Sequence, residues 1–297
     1  MHRSIHLLKQ TLAMSKQIPT PRFFSSLPHA VIVDWDETLT TKDTIQYLAQ
    51  VPYINNQHLQ PPFSHYTDIY MSNYSKYKES QQLTNGRTCS TMDEYVKFQL
   101  GMDPVEMSSI KALQRDKIFK GLTEAQLRSL ADHVQLRDGA VQFLNRCLDK
   151  GVEVVILSVN WTSLIIDEVL QRNGINDGIR IITNEFEFDE SGKTTGAWLK
   201  EPRVRTSQDK LDQIDKIKAQ LRNAEDFSTI ATPTTIESAA DDVEMMYIGD
   251  SLTDLLPILN VTLPCAIKES KLDQVLTELQ FNHFSGTWFD FIKSIND

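Results

Sequence analysis

Only three cysteines, Cys89, Cys147 and Cys265, occur in the 297 residues, and they stand far apart. They form neither a metal-ligand spacing nor a disulfide framework, so a reducing compartment is the default. No uninterrupted apolar run is long enough to cross a bilayer, so no membrane partner is expected. Basic charge is also short. Thirty Lys and Arg against forty Asp and Glu leave a net charge of −10, which opposes general attraction to nucleic acid. Acidic residues are missing from one place, the stretch from Met1 to Val33. It carries Arg3, Lys9, Lys16 and Arg22 with serines between them, and Ile5, Leu7, Leu8 and Leu12 can line one face of a short basic helix. This composition reads as a mitochondrial (matrix) targeting segment over residues 1–28, with Arg22 three residues before a protease cut at Ser25. The alternative is a disordered tail, or a cytoplasmic product begun at Met14. Loss of the four basic residues would carry the net charge from −10 to −14.

The whole chain is 40% apolar and 24% charged, ordinary for a soluble globular protein. The length suits one large domain or a core with an inserted domain. Short apolar runs at Ala30–Val33, Val152–Leu157, Ile179–Thr183, Met245–Ile248 and Cys265–Ile267 read as buried strands. Helical patterns lie between them at Gly139–Lys150, Thr162–Asn173, Gln208–Arg222, Thr253–Asn260 and Lys271–Leu279. The alternation predicts an α/β fold, a Rossmann-like parallel sheet with helices on both faces. About a hundred residues separate the first two strands, too many for a structureless loop. Helical stretches at Thr44–Ala49, Tyr66–Ser80, Met92–Leu100, Pro104–Phe119 and Thr123–His133 fill the gap, with a loop at Asn55–Ser64. The expected division is a core of residues 29–42 and 136–297 around an α-helical cap of residues 43–135. Glu185–Phe188 and Lys193–Trp198 flank Asp189-Glu190-Ser191-Gly192 as a β-hairpin. Residues 223–242, rich in Ser, Thr, Ala and acid, read as a mobile excursion from the core.

The chemistry concentrates at strand ends. Val31-Ile32-Val33 delivers Asp34 and Asp36 to the carboxyl end of a buried strand, where open α/β sheets bind ligands. A carboxylate can attack phosphorus as a nucleophile, and a magnesium ion screens the phosphate charge that opposes it. Asp36 is close enough to protonate the leaving alkoxide and then deprotonate water. The competing reading is a surface turn with two ordinary acids. A second strand runs into Gly249-Asp250-Ser251-Leu252-Thr253-Asp254, where Asp250 is a candidate hard-oxygen ligand and Asp254 can face the same site. Ser251 or Thr253 can simply cap the helix that follows. Ser158 at the end of Val154–Leu157 can donate to phosphate or cap a helix, and Asn160 and the next helix start can help hold an anion. A cation must balance the phosphate; Lys210 is the preferred candidate and Lys200 its competitor.

Taken together, Asp34/Asp36/Thr38, Ser158, Lys210 and Gly249-Asp250…Asp254 resemble the haloacid dehalogenase superfamily, whose pattern they follow in order from Ala30 to the C-terminus. The helical insert between Asp34 and Ser158, Asn184-Glu185-Phe186 and Gly192-Lys193-Thr194-Thr195-Gly196 are similar to its phosphoserine-phosphatase-like branch with a C1 cap. Ser158-Val159-Asn160-Trp161-Thr162 resembles the plant thiamine-monophosphate phosphatase type and related fungal proteins. The resemblance implies a magnesium-dependent phosphatase with Asp34 as nucleophile and Asp36 as acid–base. It places Mg²⁺ on Asp34, the backbone carbonyl of Asp36, Asp250 and Asp254, and Thr38 at the phosphate. A full cap implies a small phosphorylated metabolite as substrate, with Glu37, Asp43 and Tyr47 at the cap entry near the leaving group. A phosphomutase and a catalytically silent scaffold are the alternatives.

Overall fold

The computed structural model describes residues 27–81, 89–228 and 243–296. The expected targeting segment falls almost wholly on residues 1–26, and most of the expected excursion on residues 229–242, both outside the described residues. Among the described residues no helix is long and apolar enough to cross a membrane.

The chain begins with β1 (Ala30–Val33), then five helices: α1 (Ile45–Asn55), α2 (Phe63–Ser80), α3 (Met92–Leu100), α4 (Asp103–Asp116) and α5 (Glu124–Arg128), the last running into a tight turn at Ser129–His133. There follow α6 (Ala140–Asp149), β2 (Glu153–Leu157), α7 (Ser163–Arg172), β3 (Ile179–Ile182), β4 (Phe186–Phe188), β5 (Thr194–Trp198) and α8 (Ser207–Ser228). The chain resumes with β6 (Met245–Gly249), α9 (Leu255–Ile258), β7 (Leu263–Ile267), α10 (Lys271–Glu278), β8 (Phe284–Gly286) and α11 (Trp288–Asn296). Six strands form one parallel sheet in the order β3-β2-β1-β6-β7-β8, and β4 and β5 form a separate antiparallel hairpin.

Side chains of a strand alternate between faces, so each strand feeds two cores. Val31, Val33, Val154, Ile156, Met246 and Ile248 pack with Phe143 of α6, Ile165 of α7 and Phe291 of α11. Ile32, Val155, Leu157, Met245 and Tyr247 pack with Ile214 of α8, Leu255 of α9 and Leu272 of α10. That is a three-layer sandwich of the expected class.

Several boundaries differ from expectation. Residues 223–228 continue α8 instead of leaving it, because no Gly or Pro interrupts the chain between Ser207 and Ser228. The loop expected from Asn55 is shorter, since α1 reaches Asn55 and α2 starts at Phe63. The helix expected at Thr253–Asn260 is a tight turn, Leu252–Asp254, followed by a single turn, α9. β8 and α11 carry no expectation. β8 holds one large apolar residue, Phe284, and exists by register with β7.

Candidate active site

β1 lies mid-sheet, with β2 on one side and β6 on the other. Val33 pairs with Ile156 and with Ile248. Asp34, Ser158 and Asp250 therefore leave the sheet together at its carboxyl edge. Strand order reverses direction at β1, and such a switch point opens a crevice there.

After Asp34 the backbone makes one wide turn, Trp35–Leu39, closed by the Thr40 N–H donating to Trp35 O at 3.1 Å. Glu37 sits in this turn at φ 56°, a left-handed conformation that a side chain with a Cβ disfavours. Arg137 braces it, donating Nε and Nη2 to Glu37 O at 3.0 and 2.9 Å. Trp288 of α11 donates its indole N–H to Thr38 O at 3.2 Å. This turn sends Asp34 and Asp36 into different surroundings.

Asp34 is buried, and its Oδ1 accepts from Lys210 Nζ at 2.7 Å. Lys210 is wholly buried and also donates to Asp254 Oδ1 at 2.6 Å. Tyr247 Oη donates to the same Asp254 oxygen at 2.6 Å, while Asp254 Oδ2 accepts from the backbone N–H groups of Asp250 and Ser251, each at 3.1 Å. Thr38 Oγ1 donates to Asp250 Oδ1 at 2.8 Å. One oxygen from each of Asp34, Asp250 and Asp254 lies within 4.8 Å of the others. Burial, and then the Asp254 charge, push the Asp34 carboxyl well above its ordinary range, against the pull of Lys210. Burial and then Asp254 raise Asp250 to about 7. Burial works to lower the Lys210 ammonium, but Asp254 and Asp34 overcome it and hold Lys210 above an ordinary lysine.

Asp36 turns away from this cluster. Its Oδ1 accepts from the Thr44 backbone N–H at 2.6 Å and from Thr44 Oγ1, and its Oδ2 accepts from Asn160 Nδ2 at 3.1 Å. Thr44 Oγ1 itself accepts from Asn160 Nδ2 at 2.8 Å and from Trp35 Nε1 at 3.1 Å. With both donors in place, the Thr44 hydroxyl hydrogen has only Asp36 to go to. Burial, then the Asp43 charge, push Asp36 up to about 6.

The sequence profile described as haloacid dehalogenase-like hydrolase matches residues 31–256. The chain belongs to that family. A CTO1 family protein of Schizosaccharomyces pombe is 30% identical over 230 residues, covering 75% of this chain and 76% of the relative. Cold tolerance protein 1 of Saccharomyces cerevisiae is 26% identical over 251 residues, covering 77% and 75%. A phosphoserine phosphatase solved with a phospho-aspartyl intermediate analogue shares the fold at a TM-score of 0.51 and 14% identity, over 91% of this chain and 100% of that one.

The haloacid dehalogenase pattern places Thr38 at the phosphate, yet its hydroxyl is spent on Asp250. Ser158 is buried at the end of β2, its Oγ accepting from the Asn160 N–H at 3.0 Å. Asn160 is spent on Asp36 and Thr44. Asp43 is exposed and accepts from the Ile45 N–H at 2.8 Å at the start of α1, and the Glu37 side chain is exposed. Lys200 is exposed, whereas Lys210 touches Asp34. Tyr47 packs against the His133 ring, 5.6 Å between centroids. Thr44, Tyr247 and Arg137 were not singled out by sequence. The signal for Tyr247 is a polar tip inside an apolar strand; Thr44 and Arg137 carry none that is local.

The donor set suits Mg²⁺. The ligands are hard carboxylate oxygens, and three carboxylates against one ammonium leave a charge of −2 for a divalent cation to balance. Among the described residues, Asp34 Oδ2 and Asp250 Oδ2 accept no hydrogen bond, so these two residues would hold the metal. Asp254 brings an oxygen to the same cluster, and its oxygens also accept from Lys210, Tyr247 and the backbone N–H groups of Asp250 and Ser251. The Asp36 carboxylate lies outside the cluster, which leaves its backbone carbonyl as the ligand the family pattern names.

Proposed function

We propose that the protein is a magnesium-dependent phosphatase that hydrolyses a small phosphate monoester through a phosphoaspartyl intermediate on Asp34. The supporting observation is the separation of two carboxylates only two residues apart. Asp34 is bonded to a buried ammonium, while Asp36 is bonded to Thr44 and Asn160 and, among the described residues, pairs with no cation. That difference in surroundings supports Asp34 as nucleophile and Asp36 as acid–base. When bound, Mg²⁺ supplies positive charge to the phosphoryl oxygens and to the carboxylates that hold it.

Asp34 Oδ attacks phosphorus, and the bond to the ester oxygen breaks with its electron pair leaving on the alkoxide. Asp36, raised to about 6 and partly protonated near neutral pH, gives that alkoxide its proton. Asp36 then takes a proton from water as the water oxygen bonds to phosphorus. The phosphorus–Asp34 bond breaks, returning inorganic phosphate and the free carboxylate. Lys210 holds Asp34 in place and neutralises charge beside it. The helices of residues 43–135 serve as a lid over the carboxyl edge, excluding water and protein-sized esters.

Purified protein with para-nitrophenyl phosphate tests this reading. Release of phosphate should require Mg²⁺ and stop on chelation, and Asp34→Asn should lower the rate by about three orders of magnitude or more. No turnover with Mg²⁺ present, or near wild-type turnover by Asp34→Asn, would sink it.

A further inference from the structure

Two basic side chains are buried among the described residues, Lys210 and Arg205. Lys210 has its carboxylates; Arg205 does not. Arg205 is 7% exposed, and its Nη1 is enclosed without a hydrogen-bond partner. Its guanidinium lies over the Trp198 indole, with Cζ 5.0 Å from the ring centroid, which steadies the cation without neutralising it. The nearby acids are committed elsewhere. Asp209 Oδ1 accepts from Arg203, and its Oδ2 accepts from the backbone N–H groups of Arg205 and Thr206. Glu106, from α4 of the insert, accepts from Tyr70 Oη at 3.1 Å, and burial pushes it up to about 7. Burial, and then the repelling Arg203, bring Arg205 down to about 9, so it remains charged at neutral pH. A buried charge without a partner is costly, and an oxyanion would relieve that cost.

Its place in the fold ties Arg205 to the reaction. It directly precedes Thr206, whose hydroxyl accepts from the Asp209 N–H at 3.1 Å at the start of α8, and Lys210 follows in that first turn. Its stacking partner Trp198 donates Nε1 to Trp161 O at 3.1 Å, and Trp161 follows Asn160, the residue bonded to Asp36. Arg205 thus rides on the segments that set Lys210 and Asp36, and the Glu106 charge of α4 reaches it from the insert.

We infer that Arg205, stacked on Trp198, binds a second oxyanion on the alcohol half of the substrate, so that the ester carries a carboxylate or another phosphate besides the one removed. The inference rests on the phosphatase reading above. A planar guanidinium with an unpartnered Nη1 suits such a group better than an ammonium would.

The full chain with Mg²⁺ is assayed on O-phosphoserine and phosphoglycolate for the carboxylate, fructose 1,6-bisphosphate for a second phosphate, phosphocholine for a cation, and para-nitrophenyl phosphate for no second charge. At least one oxyanion class should be preferred over phosphocholine. Arg205→Met should lower kcat/KM for that class relative to para-nitrophenyl phosphate by about 10- to 100-fold, mainly through KM, with Arg205→Lys between. D-glycerate or glycolate, but not glycerol, should raise the melting temperature of the wild type. That measurement and the wild-type preference decide the matter should Arg205→Met not fold. Preference for phosphocholine, an unchanged ratio in a folded Arg205→Met, or no shift with either acid overturns the inference while the phosphatase reading stands. Absence of turnover on every ester, para-nitrophenyl phosphate included, instead removes the phosphatase reading itself.

Discussion

Asp254 and Lys210, 44 residues apart in sequence and both wholly buried, meet at 2.6 Å. The bond matters because the other Lys210 partner is Asp34, so the position of the ammonium beside the proposed nucleophile depends on Asp254. Removing one partner of a buried pair strands the other charge. Asp254→Ala should therefore destabilise the fold by about 3–5 kcal/mol. Urea unfolding measures it; a loss under about 1 kcal/mol would mean that the pair is solvated.

The same carboxylate needs the space beside Gly249. A Cβ built there would stand 2.5 Å from Asp254 Cγ and Oδ2, far inside contact distance. Gly249→Ala should cost about 1–3 kcal/mol and displace Asp254 and with it Lys210. Melting and turnover should fall together. A variant with wild-type values for both would show that the strand end can shift freely.

Thr44 touches no substrate atom in the proposed reaction, yet it donates twice to Asp36 and accepts from Trp35 and Asn160. Thr44→Val keeps the shape and removes the hydroxyl. It should lower kcat by about 10- to 100-fold with a smaller change in KM, and Thr44→Ser should restore most of the rate. Equal losses in the valine and serine variants would point to packing instead of the hydroxyl.

Lys210→Ala should be far more damaging to turnover than Lys200→Ala, because only the first lysine reaches Asp34 and the second faces solvent. The steady-state rates of the two variants settle it, and the reverse order would move the phosphate-side cation to Lys200.

Glu106 links pH to stability. Burial raises its carboxyl from 4.5 to about 7 in the folded chain, against the Tyr70 hydrogen bond and the Arg205 charge. Between those values the folded chain binds the proton that the unfolded chain has released. The Glu106 contribution is therefore present in full below pH 4.5 and is lost as pH rises through about 7. Glu106→Gln cannot ionise, so its stability relative to wild type should climb across that window and level off above it. Urea midpoints at several pH values read the difference, and a pH-independent difference would contradict the burial argument.

The carboxylate cluster was legible because its acids sit where apolar strands stop. Ala30–Val33 before Asp34 and Met245–Ile248 before Gly249 and Asp250 are local patterns, and their end positions follow from burial alone. The placing of Thr38, Asn160 and Asp254 was harder. Thr38 looks like a phosphate ligand in the motif, but its hydroxyl meets Asp250, 212 residues away. Asn160 looks like an anion ligand after a strand, but it meets Asp36 and Thr44, 124 and 116 residues away. No local pattern reports such partners, because a side chain has few donors and the fold decides which acceptor takes them. β8 and α11 escaped for a related reason. A three-residue strand with one large apolar side chain is defined by its neighbour β7, and the turn-bracing contact of Trp288 requires α11 to have docked.

The order of apolar runs, helical periods and strand-end acids by itself determined a parallel α/β sheet with a helical insert and a cluster of carboxylates at one edge, since burial and backbone pairing leave little choice about where such residues go. Only the tertiary structure decided which oxygen each donor serves: Lys210 between Asp34 and Asp254, Thr44 and Asn160 on Asp36, and Arg205 over Trp198 with no ion-pair partner among the described residues. Those assignments depend on distances of a few ångströms between residues far apart in the chain, and such distances exist only once the sheet and its insert have packed.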